Sequence, residues 1–94
     1  MNQERIKAIN AINRYIYPMI DVNRDSLQYQ RSLEAAEELK ELILSNHFGS
    51  TFDIVDEYRT RMDLESLRPA ADRIIYSIKY DFATYVLDEL LLPF

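Results

Sequence analysis

Residues 69–91 read PAADRIIYSIKYDFATYVLDELL, and the spacing of their apolar side chains decides the fold. At about 100° per residue, Ala71, Ile74, Ile75, Ile78, Phe82, Tyr85 and Val86 fall on one stripe. Tyr76, Tyr80, Ala83, Leu87 and Leu90 form a second stripe beside it, and Arg73, Ser77, Asp81, Thr84 and Asp88 leave only a narrow polar strip. A surface helix needs an apolar stripe a little over 100° wide, whereas this arc spans about 240°. Such a helix either runs through the centre of a bundle or faces a partner. Pro69 suits its first turn. The β-branched and aromatic residues of Ile74–Tyr80 would also suit a strand, but no glycine or Asn-Gly or Asp-Gly turn flanks them.

Working outward, the same period recurs three more times. Ile6, Ile9, Ile12, Ile16, Met19 and Ile20 share one face of a first helix, opposite Glu4, Lys7, Asn10 and Arg14. Pro18 predicts a kink or an end near Tyr17. Asp21 to Ser26 reads as a turn, with Asp25 or Ser26 capping a second helix whose inner stripe is Tyr29, Leu33, Ala36, Leu39 and Ile43. Asn46 to Gly49 stops it, and Gly49, the single glycine, is expected to take the left-handed backbone common at helix C-termini. Ser50 or Thr51 caps a third helix that turns Phe52, Val55, Tyr58 and Met62 inward, and 63–68 is either loop or helical turn. The expectation is an all-α, four-helix bundle-like domain, with helices over about 3–17, 26–45, 51–62 and 69–91 of a single domain spanning 1–94.

Composition narrows the function by exclusion. Ninety-four residues, 48% of them hydrophobic, can build one core but not an additional cofactor domain. Rossmann, P-loop and TIM-barrel architectures do not fit, or lack their glycines. Without cysteine there is no disulfide, thiol nucleophile or Cys-ligated metal, and a single histidine excludes a two-His metal motif within one chain. The N-terminal residues lead into no signal-like apolar run, and nothing approaches the roughly 20 apolar residues of a membrane span. The reading is cytoplasmic, with no membrane and no direct nucleic-acid contact, since the net charge of -5 repels both surfaces.

That charge is unevenly placed. Residues 1–31 carry net +2, residues 34–57 net -6, and residues 58–94 net -1. The densest cluster, Glu34, Glu37, Glu38 and Glu41, lies within about 100° of arc opposite the Leu33/Ala36/Leu39/Ile43 stripe. Asp53, Asp56 and Glu57 add three carboxylates to the third helix. The four glutamates form either a solvated face or a surface for a basic partner or a divalent cation. Glu38-x-x-Glu41 followed by Asp53-x-x-Asp56 loosely resembles the Glu-x-x-Glu…Glu-x-x-Asp pattern of MazG-like all-α nucleotide pyrophosphohydrolases, with Asp53 where that pattern has Glu. The resemblance covers two short motifs and implies that these carboxylates would converge on Mg²⁺.

Other constellations are thinner. Asp21-x-Asn23-x-Asp25 matches the start of an EF-hand loop, but Ser26 stands where its glycine belongs and Ser32 where its bidentate Glu belongs. His47 has no nucleophile context and reads as a helix-end residue. The helix after Gly49 starts with Asp53, Asp56 and Glu57, which would repel DNA from a helix-turn-helix. Seven tyrosines are many for this length, and Tyr76 and Tyr80 lie off the stripe centres where contact surfaces use them.

The expectation that follows is a small acidic helical protein acting by protein–protein contact, as an adaptor, an immunity- or antitoxin-like protein or an inhibitor of a basic partner. It would have no catalysis, cofactor or metal of its own. Glu34, Glu37, Glu38, Glu41, Asp53, Asp56 and Glu57 would meet that partner. The wide arc of the last helix would support a homodimer through Tyr76, Tyr80, Ala83 and Leu87. The alternatives are a Mg²⁺-dependent nucleotide pyrophosphohydrolase using Glu38, Glu41, Asp53 and Asp56, and a purely structural homo-oligomer.

Overall fold

Ser26, Ser50 and Asp72 set where three of the four helices begin. The computed structural model describes residues 3–22, 26–45 and 49–92. They form α1 (Gln3–Val22), α2 (Leu27–Ser45), α3 (Thr51–Ser66) and α4 (Arg73–Leu91), with no strand among the described residues. The helical period therefore wins over the strand propensity of Ile74–Tyr80. Ser26 Oγ accepts from the Tyr29 amide at 3.1 Å, Ser50 Oγ from the Asp53 amide at 3.4 Å, and Asp72 Oδ1 from the Ile74 and Ile75 amides at 3.1 and 3.3 Å. Each bond satisfies an amide that the first helical turn leaves without an internal partner.

Three boundaries differ from the sequence reading. Helix α1 continues through Pro18 to Val22. Pro18 lies on the exposed side, where water can satisfy the Arg14 carbonyl that lacks its N–H partner. Helix α3 takes in Asp63–Ser66, and α4 starts at Arg73 instead of Pro69. Pro69 lies in the turn before α4, followed by Ala70 at φ 64°, a left-handed backbone that breaks helical continuity until Asp72 caps the next start. Gly49, by contrast, has no positive φ, so the left-handed residue is an alanine in another turn.

The core explains the width of the α4 arc. Helix α4 packs against all three other helices, most extensively against α3. Its buried residues Phe82, Ala83, Val86 and Leu87 meet Ile12 and Ile16 of α1, Leu39 and Ile43 of α2, and Val55, Tyr58 and Met62 of α3 in one cluster. Ala8, Ala11, Ala35, Ala36 and Ala83 are all nearly or fully buried. Small side chains at the contacts let helices approach closely, which moves the inner faces of α1 and α2 toward their alanines. Ile6 is consequently left about half exposed, and Ile74, on the expected main stripe of α4, is 63% exposed. Tyr15 packs edge-on against Phe82, ring centroids 4.8 Å apart, and beside Tyr85 at 5.0 Å. The Cα radius of gyration, 13.2 Å, is that of a compact globule of about this length. No helix among the described residues is long and apolar enough to cross a membrane.

Candidate functional site

The acidic cluster of α2 divides into two pairs with different roles. Glu34 and Glu38 are half-buried and turn toward α4, while Glu37 and Glu41 are exposed. The helical wheel assigns all four to the outer face, and for Glu34 and Glu38 the structure corrects that assignment. The cause is Lys79, which is 9% exposed on the inner side of α4. Its Nζ lies 2.6 Å from Glu38 Oε1 and 3.5 Å from Glu34 Oε2. A buried ammonium is costly without a counter-charge, and α2 supplies two. Arg31 pairs with Glu34 from the preceding turn, so Glu34 sits between two cations.

Helix α3 completes the arrangement. The Tyr58 hydroxyl donates to Glu38 Oε2 at 2.9 Å, so both carboxylate oxygens of Glu38 are engaged, one by α4 and one by α3. Burial of the phenol, then the adjacent Glu38 charge and the hydrogen bond to it, push the Tyr58 hydroxyl far above the usual tyrosine range. The Arg61 guanidinium, 5.4 Å from the Tyr58 ring centroid, acts weakly in the opposite direction. Three helices are thereby joined through one carboxylate. Lys79 escaped the sequence reading because it falls between the two stripes of α4. The available signal was a lysine flanked by Ile75, Tyr76, Phe82 and Ala83, inside an arc otherwise apolar.

The remaining carboxylates stay apart. Asp56 pairs with Arg59 at 3.0 Å. Asp53 is exposed in the first turn of α3, where a negative charge suits the helix dipole, and Glu57 is exposed one turn later. The set Glu38, Glu41, Asp53 and Asp56 does not converge: Glu38 is taken up by Lys79 and Tyr58, Asp56 by Arg59, and no group of three or more metal-ligating side chains forms among the described residues. Asn23, Asp25 and His47 lie outside the described residues, and Asp21 belongs to the last turn of α1.

The expected oligomer contacts are also redistributed. Ala83 and Leu87, 0% and 2% exposed, belong to the core and offer no surface to a second copy. Tyr76 and Tyr80 are half-buried and line a cavity of about 240 Å³ between α3 and α4, together with Met62, Asp63, Leu67 and Arg73. Arg59 lies over the Tyr80 ring, 5.7 Å from its centroid. No protein-family model, curated protein or solved structure matches the chain.

Proposed function

We propose that the protein acts by binding a basic protein partner through the carboxylates that its own fold leaves uncompensated. The supporting observation is the contrast within the acidic segment. Glu34, Glu38 and Asp56 are paired with cations of the same chain, whereas Glu37, Glu41, Asp53 and Glu57 are exposed and carry no ion pair among the described residues. Glu37 and Glu41 stand one turn apart on α2, a like-charge spacing that costs an isolated helix a few tenths of a kcal/mol. They lie in the C-terminal half of α2, and Asp53 and Glu57 in the N-terminal half of α3. The two helices are consecutive and are joined near their middles by the Glu38–Tyr58 bond. A concentrated negative field steers a basic partner and raises its association rate.

The test compares two baits in the cells that make the protein: the wild type and the triple variant Glu37→Gln, Glu41→Gln, Glu57→Gln. A basic protein retained by the first and lost by the second, and binding the purified wild type with a rate that falls as salt rises, is the expected result. Equal retention by both baits would overturn the reading.

A further inference from the structure

The turn joining α3 to α4 exposes more large apolar surface than a monomer needs. Leu64, Leu67 and Ile74 are 60%, 67% and 63% exposed, all within eleven residues of chain. Leu67 lines the α3–α4 cavity with Met62, Tyr76 and Tyr80, and Leu64 lines a neighbouring groove on α3 with Arg61 and Arg68. Clustered apolar exposure of this kind marks contact surfaces. Tyrosines already held in place, as Arg59 holds Tyr80, lose little freedom on binding.

Charge says what covers it. The segment from Arg59 to Ile74 carries four arginines and three acids, so it lacks the excess negative charge of residues 34–57 and is not a place to attract a basic partner. Two of its charges face the cavity from opposite walls, Asp63 on α3 and Arg73 on α4, and neither has an ion pair among the described residues. A surface with one free acid on one wall and one free base on the other is complementary to itself. A two-fold axis running along the cavity lays each α3 wall over the α4 wall of the other copy, so the Asp63–Arg73 contact is made twice, once by each Asp63.

We infer that the α3–α4 turn is a homodimer interface, in which a second copy of this chain covers Leu64, Leu67 and Ile74 and the Asp63 and Arg73 of the two copies pair reciprocally. The interface takes in Tyr76 and Tyr80 on the cavity wall and leaves Glu37 and Glu41 of α2 free, so it does not rest on the basic-partner reading.

Sedimentation of the purified full chain across the micromolar range tests it. The wild type is expected to dimerise. Asp63→Arg and Arg73→Asp, both at exposed positions, should each raise the dimer dissociation constant by about tenfold or more, because each places like charges in contact. The double variant Asp63→Arg, Arg73→Asp should recover dimerisation, since reversal of both partners restores the pairing. Ile74→Glu should give a monomer with an unchanged helical circular dichroism spectrum. A wild type that stays monomeric throughout overturns the proposal, as does a dimer indifferent to these substitutions. So does a dimer weakened by both single reversals and not recovered by the double one. Dimerisation of the Glu37→Gln, Glu41→Gln variant should match the wild type, which keeps this result separate from that of partner capture.

Discussion

Lys79 Nζ lies 2.6 Å from Glu38 Oε1, which makes a glutamate on the charged side of α2 the counter-ion of a lysine inside the bundle. Lys79 alone among the lysines and arginines of the described residues is buried. The pair, with Tyr58 on the other oxygen of Glu38, joins α2, α3 and α4 at one point.

Glu38→Gln should therefore destabilise the fold, although the same change at Glu37 or Glu41 should not. The amide keeps the shape but withdraws the charged acceptor from both Lys79 and Tyr58. A fully buried pair would lose about 3–5 kcal/mol. The Glu38 side chain is 40% exposed and Glu34 remains nearby, so the expected loss is about 1–2 kcal/mol. Urea denaturation measures it, and a variant as stable as the wild type would show that water and Glu34 serve Lys79 as well as Glu38 does.

The Tyr58 hydroxyl predicts an alkaline limit to stability. Its folded-state value is raised, so the folded chain holds the phenolic proton more tightly than the unfolded chain. That contribution is fully present below the ordinary tyrosine value near pH 10 and is lost as pH rises above it. The slope from this group is about 1.4 kcal/mol per pH unit. Six other tyrosines and the lysines titrate in the same range, so the measurement is a difference. Stability of the wild type and of Tyr58→Phe, followed from pH 8 to 11, should converge as pH rises through about 10. Parallel curves would place the phenol in a more solvated setting than the structure gives it.

How far the sequence carried the reading depended on which interaction decided each feature. The four helices follow from local periodicity, and the caps Ser26, Ser50 and Asp72 are ordinary polar residues ahead of apolar runs. Inner faces were displaced wherever alanine did the packing, because Ala8, Ala11 and Ala35 give no strong apolar signal yet allow close approach. Helix ends at Pro18 and Pro69 were misplaced because solvent exposure and a left-handed Ala70 settle them. The division of the acidic cluster was illegible for a different reason. Glu34 and Glu37 look alike on a wheel, and only the long-range position of Lys79, 41 residues beyond Glu38, distinguishes the paired from the free carboxylates.

Ala70→Gly should stabilise the protein or leave it unchanged. Ala70 holds φ at 64°, where its Cβ crowds the backbone at a cost of about 1–2 kcal/mol that glycine does not incur. Glycine gives back about 0.4–1 kcal/mol by loosening the unfolded chain. The expected net gain is up to about 1 kcal/mol in thermal or urea denaturation, and a loss greater than about 1 kcal/mol would mean that the methyl group packs.

Glu4 should behave as a second cap for α3 although it belongs to α1. Its Oε1 accepts from the Phe52 amide at 2.5 Å and from the Ser50 hydroxyl at 3.1 Å. The charge also sits at the positive end of the α3 dipole. Glu4→Ala should cost about 1 kcal/mol, and amide hydrogen exchange should rise first at Phe52 and its neighbours in the first turn of α3. Uniform change across α1 with the α3 amides unaffected would contradict the capping role.

The free half of the acidic ridge separates binding from folding. Glu37 and Glu41 are exposed, lie at i,i+4 on α2 and have no ion pair among the described residues, so Glu37→Gln with Glu41→Gln removes two charges without removing a contact. Thermal stability should hold or rise by a few tenths of a kcal/mol as their mutual repulsion is relieved. Association with the captured basic partner should instead slow, with little change in dissociation rate, because a field at the surface acts on encounter more than on the formed complex. The salt dependence of the association rate should flatten in parallel, since it scales with the charges that steer the approach. Stopped-flow association at several ionic strengths reads both effects. An unfolded double variant would mean that the ridge is buried, and unchanged association rates with an intact fold would leave Glu37 and Glu41 as solvated surface and remove the main support for electrostatic recruitment.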